Sequence, residues 1–155
     1  MQVYVIRHAE AEPAGAGGDA ARRLTARGQQ EARAVAAALR ARGVQWDALL
    51  TSPLARARET AVLLAADLAA DPPEPSPVLD GRAPADAILD ELSIHPADQR
   101  IALVGHMPVV AELVALATGG EPPRFPTAAV ARIDFPQRPA PGRGRLAWLL
   151  APGAL

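Results

Sequence analysis

Val3, Tyr4, Val5 and Ile6 make a short apolar run, mostly β-branched or aromatic, that stops at Arg7 and His8, with Glu10 and Glu12 just beyond. Such a run predicts a strand buried on both faces. In an open α/β sheet, loops and helix N-termini converge at the ends of the strands, and ligands bind there. A histidine and an arginine at that point can supply a nucleophile and a fixed cation for an anionic substrate. Polar residues that merely cap a strand would look the same, so the rest of the chain has to decide.

The 155 residues suit one domain, residues 1–155, with a single core. Half of them are apolar but only 3% are aromatic, and the formal net charge is -1. Scattered arginines and few rings for base stacking argue against a nucleic-acid partner. Cysteine is absent, which excludes disulfides, thiolate catalysis and cysteine metal sites. No apolar run approaches the roughly 20 residues of a membrane span. Arg7 and His8 interrupt the N-terminal apolar run too early for a signal peptide, so a cytoplasmic location is expected.

Beyond a Pro/Gly/Ala loop at 13–18, Thr25 suits the cap of a helix with Ala32, Val35, Ala36 and Leu39 on its apolar face and Gly43 as its stop. Residues 46–51 predict a second strand. Ser52-Pro53 predicts the next helix start, serine at the N-cap and proline in the first turn, burying Ala57, Ala61, Leu64 and Leu68. A proline-rich connector at 72–77 leads to a short strand at Val78 and Leu79, closed by Asp80-Gly81, then to a helix over 85–92. A buried strand over 101–104 ends in Gly105-His106, and Pro108 opens a helix that Gly119 stops. Residues 129–135 alternate and 146–150 form a last strand, with no helix between them. The pattern predicts an α/β three-layer sandwich: a mostly parallel sheet, helices on both faces, and antiparallel pairing at one edge.

Four strand ends carry polar groups: Arg7-His8, Ser52, Asp80 and Gly105-His106. Arg56 joins them from the first turn of the helix after Ser52. Two arginines, two histidines and a helix N-terminus attract a small dianion, and phosphate fits the guanidinium forks. The arginines repel a dication, and Glu10 is the one convenient carboxylate ligand, so no metal and no cofactor are expected. His95, between a helix and Pro96, reads as a solvated loop residue. A neutral imidazole is a good nucleophile toward phosphorus. Arg7 and Arg56 would lower the pKa of His8 and stabilise the charge that develops on phosphoryl oxygens.

Arg7-His8-Ala9-Glu10, Leu24-Thr25-Ala26-Arg27-Gly28, Ser52-Pro53-Leu54-Ala55-Arg56-Ala57 with Thr60-Ala61, and Gly105-His106, in that order, resemble the histidine phosphatase superfamily. The tail, 120–128 with Trp148 and Ala151-Pro152, is similar to that of the SixA-type phosphohistidine phosphatases. The resemblance implies a phosphoglycerate-mutase-like fold and His8 as the phosphorylated residue. Arg7, Arg56 and His106 would complete the phosphate pocket, and Phe125 and Thr127 would sit on a loop near its mouth. Ser52, Glu10, Asp80, Phe125 and Thr127 are the expected substrate-binding residues. Ala9 stands where the superfamily usually has glycine, and no general acid stands out, with Asp80 or Glu10 the only candidates. A missing acid suits a phosphoramidate, whose protonated imidazole leaves easily, better than an alkyl phosphate. The expected activity is therefore removal of phosphate from phosphohistidine on a histidine-phosphotransfer domain or similar phosphoprotein. The alternatives are a small-molecule phosphomonoesterase or mutase of the same superfamily, and a non-catalytic module that binds phosphorylated partners.

Overall fold

A computed structural model describes residues 1–155. Its strands are β1 (Gln2–Arg7), β2 (Ala48–Thr51), β3 (Glu74–Pro75), β4 (Arg100–Gly105), β5 (Val130–Asp134) and β6 (Arg145–Leu150). The helices are α1 (Ala26–Ala41), α2 (Ala55–Asp67), α3 (Ala85–Ser93) and α4 (Val109–Thr118). All six strands join one sheet in the order β3-β2-β4-β1-β5-β6. The first four are mutually parallel, and β5 runs antiparallel to both β1 and β6.

The apolar run of β1 is continuous because both of its faces are covered. Val3 and Val5 join Ile101, Leu103 and the inner faces of α3 and α4 in one core. Tyr4 and Ile6 join Ala102, Val104 and the inner faces of α1 and α2 in the other. Each valine, leucine or isoleucine among them, fully withdrawn from water, contributes about 1.5–3 kcal/mol before entropy is counted. No helix is long and apolar enough to cross a membrane.

Thr25 caps α1, its hydroxyl accepting the Gly28 N–H at 2.9 Å. Gly43 and Gly119 end α1 and α4 in left-handed conformations, φ 68° and 77°, which glycine adopts without the Cβ penalty. Two local expectations need correction. Ser52 is not a helix cap: α2 begins at Ala55, with Leu54 at the cap position and no side-chain cap bond. Val78 and Leu79 form a single 3-10 turn rather than a strand, and the strand preceding it is the exposed pair Glu74–Pro75. Leu79 is buried all the same, so the apolar pair marked a core contact and not an extended backbone.

The loops leaving β1 and β2 turn toward the α1/α2 face, whereas the loop leaving β4, which lies between them, turns toward α4. In open α/β sheets a divergence of this kind marks the place where a ligand site is expected, here the carboxyl end of β4.

Candidate active site

Backbone pairing alone puts three of the expected residues side by side. Arg7 is level with Gly105 in the β1–β4 register, His8 N–H donates to the Gly105 carbonyl at 3.1 Å, and Ser52 N–H donates to that of Val104 at 3.0 Å. The rings of His8 and His106 lie 5.1 Å apart, centre to centre. Arg56, 7% exposed, is close enough to both imidazoles to disfavour their protonation.

Each side chain is held by its own device. His8 Nδ1 lies 2.7 Å from the Ala9 carbonyl. A carbonyl only accepts, so Nδ1 carries the proton and the lone pair of the neutral ring sits on Nε2. Arg7 Nη1 donates to the Phe125 carbonyl at 3.0 Å. Arg56 donates to the backbone carbonyl and carboxylate of Asp19 at 3.0 and 3.3 Å. His106 Nε2 shares a 2.7 Å hydrogen bond with Ser52 Oγ, which also accepts the Leu54 N–H at 3.1 Å. The Nε atoms of Arg7 and Arg56 and Nδ1 of His106 are buried with no protein partner. Two guanidinium groups with buried, uncommitted donors beside two imidazoles can hold a tetrahedral anion.

Burial pushes the His8 pKa down to about 4, and the positive charges of Arg56, Arg7 and Arg22 push in the same direction against the Ala9 hydrogen bond. The sequence suggested the arginines as the cause, but desolvation is the larger one. His106 is also lowered to about 4, by burial and then by His8 and Arg56, with Asp19 and Asp80 opposing. Both rings are neutral near pH 7.

This has a consequence for acid stability. An unfolded histidine titrates near about 6.5, so below that pH the unfolded chain binds protons that the folded chain refuses until about pH 4. Stability is therefore complete above about 6.5 and lost as the pH falls through that window. Between pH 7 and pH 5 the two histidines together should remove about 2–4 kcal/mol, lowering the thermal midpoint by about 5–15 °C. Equal midpoints at the two pH values would refute the assignment, and replacing either histidine with alanine should flatten the dependence.

The remaining expected residues fall into different places. Glu10 is turned toward the start of α1, where its carboxylate meets Thr25 Oγ1 at 3.3 Å and Arg27 at 3.7 Å. Asp80 is clasped by Arg82, whose backbone and side-chain donors hold its carboxyl below the usual range. The Phe125 ring is 2% exposed and packs within the core of the α3/α4 face, while its carbonyl accepts from Arg7. The Thr127 hydroxyl is spent on the carboxylate of Glu31. Ala9 requires no glycine: its φ is ordinary and its methyl is buried against the α1/α2 core, while its N–H donates to Thr60 Oγ1 at 3.0 Å.

Sequence reasoning missed Asp19, Arg22 and Glu31. Asp19 holds Arg56, and Arg22 binds Asp19 at 3.2 Å and adds positive charge near His8. No periodic or motif signal marks Asp19 and Arg22 in a Gly/Ala-rich stretch, and Glu31 reads as an ordinary polar position of α1.

The histidine phosphatase superfamily (branch 1) is matched by residues 3–83. The chain belongs to this superfamily. It is 31% identical to the phosphohistidine phosphatase SixA of Escherichia coli (strain K12), over 98% of this chain and 94% of that protein. A solved structure of the protein histidine phosphatase SixA complexed with tungstate superposes with a TM-score of 0.91 at 28% identity, covering 99% of both chains. The same fold at 15% identity and a TM-score of 0.70 occurs in a phosphoserine phosphatase mutant from Entamoeba histolytica in complex with phosphoserine, covering 99% of this chain and 98% of that one. The SixA-like chain is thus a histidine phosphatase with an α/β sheet of the phosphoglycerate-mutase-like type.

Proposed function

We propose that this histidine phosphatase removes phosphate from phosphohistidine on a protein, through a phosphoenzyme formed on His8. The observation that carries this reading is the state of His8 itself: neutral, with Nδ1–H anchored on Ala9, beside guanidinium groups with buried free donors. In the first half-reaction Nε2 of His8 attacks phosphorus and the P–N bond of the substrate breaks, its electron pair leaving on the substrate imidazole. In the second, water attacks phosphorus, the P–N bond to His8 breaks, and His8 and inorganic phosphate are regenerated. Arg7 and Arg56 bind the equatorial oxygens, and His106, steered by Ser52, completes the pocket.

Substrate class follows from the carboxyl groups. Asp19 and Asp80, whose charge reaches His106, are both held ionised by arginines, Arg22 first for Asp19 and Arg82 for Asp80. Glu10 is occupied by Thr25 and Arg27. No proton is poised for an alkoxide, whereas a protonated imidazole leaves without one. Similarity to SixA supports the same choice, and a histidine-phosphotransfer domain is the phosphoprotein partner proposed. The test is to compare a phosphohistidine protein with a panel of phosphate monoesters on the pure enzyme. A kcat/KM for the phosphoprotein at least about 100-fold above the best monoester is expected; the reverse order would assign the chain to small phosphate esters.

A further inference from the structure

We infer that Glu31, in the second turn of α1, is a positioning residue that clamps the loop following Arg7 and His8 to the segment 125–129 that holds both of them. Its Oε1 accepts the Glu10 N–H at 2.9 Å, directly after the His8-Ala9 pair. The same carboxylate accepts the Thr127 hydroxyl at 3.1 Å on Oε1 and 2.9 Å on Oε2. Thr127 belongs to the segment that grips the other side of the site. The Phe125 carbonyl takes Arg7 Nη1, the Ala129 carbonyl takes Arg7 N–H at 3.1 Å, and the Ala128 N–H donates to the His8 carbonyl at 3.1 Å.

The segment needs such a hold. Ala128 sits at φ 60°, a left-handed conformation that costs an alanine energy and persists only where its surroundings impose it. Glu31 is half-buried, its hydrogen bonds go to Glu10 and Thr127, and its charge is felt by Arg7. Through one carboxylate it closes a ring from α1 to Glu10, along β1 to Arg7 and His8, across to residues 125–129 and back. Without it the Arg7 fork and the His8 ring lose their common reference. A displacement of about 1 Å in a catalytic constellation is enough for a loss of about 100-fold.

The inference rests on the proposed role of the pocket, so its test uses orthovanadate as a phosphate mimic alongside turnover of a phosphohistidine protein. Glu31→Ala should raise the inhibition constant for vanadate about tenfold or more and lower kcat/KM about 10–100-fold. Thr127→Val should do the same to a smaller degree, and the double variant should be no worse than Glu31→Ala, because both remove one connection. Glu31→Gln keeps an Oε acceptor for both donors and should stay within about threefold of the parent. A folded Glu31→Ala enzyme with the parent's vanadate affinity would overturn the inference. So would a Glu31→Gln variant as damaged as Glu31→Ala, since the charge and not the clamp would then be what matters. If Glu31→Ala does not fold, Thr127→Val decides, and parental vanadate affinity there counts against the clamp. A parent enzyme that neither binds vanadate nor carries phosphate on His8 would instead overturn the reading of the pocket.

Discussion

His8→Ala should lower kcat/KM toward a phosphohistidine protein by about 10⁴-fold or more, the scale on which nucleophile deletions register when the rest of a site survives. The variant retains Arg7, Arg56 and His106, and the devices that hold them do not pass through the His8 ring. Binding of inorganic phosphate should therefore change by no more than about tenfold, because guanidinium donors and not the imidazole carry most of the anion's charge. This split separates a nucleophile from a binding residue. The direct readout is mass spectrometry of the peptide carrying His8 after acid-free quenching: a phosphoryl group is expected on the parent and none on the variant. Undiminished turnover by His8→Ala would end the covalent mechanism. The variant should also lose less stability between pH 7 and pH 5 than the parent, since one of the two buried histidines that refuse protons has gone.

Gly28→Ala should be the most destabilising single-methyl change in the chain. A Cβ at this position of α1 would lie 2.0 Å from the Glu10 carbonyl oxygen, which is backbone and cannot rotate away. That carbonyl already accepts the Thr25 N–H at 3.1 Å, and Gly28 N–H is itself bound by Thr25 Oγ1. Relief of the clash means separating the start of α1 from the loop after β1 and breaking the helix cap. Overpacking of this kind costs about 3 kcal/mol, and loss of the cap adds about 1 kcal/mol. A fall in thermal midpoint of about 8–16 °C is expected. Because Glu10 follows the His8-Ala9 pair, turnover should fall as well, in the fraction that remains folded. An unchanged melting curve would show that the two segments are not in contact.

Much of this architecture was legible because apolar residues obey simple periods. The continuous runs in β1 and β4 and the three-to-four spacing in α1 and α4 follow directly from burial on two faces or one. The convergence of Arg7, His8, Arg56 and His106 was legible for a topological reason, since parallel strands deliver their ends to one edge. Ser52 was misread because its hydroxyl has a long-range partner, His106, 54 positions away, and local capping preferences carry no information about that bond. Val78 and Leu79 were misread because two apolar residues among prolines satisfy a turn as well as a strand. Phe125 was placed near the mouth of the pocket by resemblance, but that its ring packs in the core while its carbonyl accepts from Arg7 depends on backbone geometry that residue types do not encode. Asp19 and Glu31 act through hydrogen bonds between distant segments, which no pattern of neighbours encodes.

The reversal of β5 also divides the molecule by tolerance to change. An antiparallel strand brings the chain that precedes it, and not the chain that follows, to the edge where β1 ends: Val130 lies opposite Ile6, while Asp134 lies opposite Gln2. Residues 125–129 therefore arrive beside the reactive groups, and the turn into β6 begins at the far rim, next to Met1. Pro136 and Gln137 there are open to solvent. A fluorescent label or an extra peptide grafted at that rim would report on the enzyme without touching its reaction, whereas the same graft ahead of β5 would silence it.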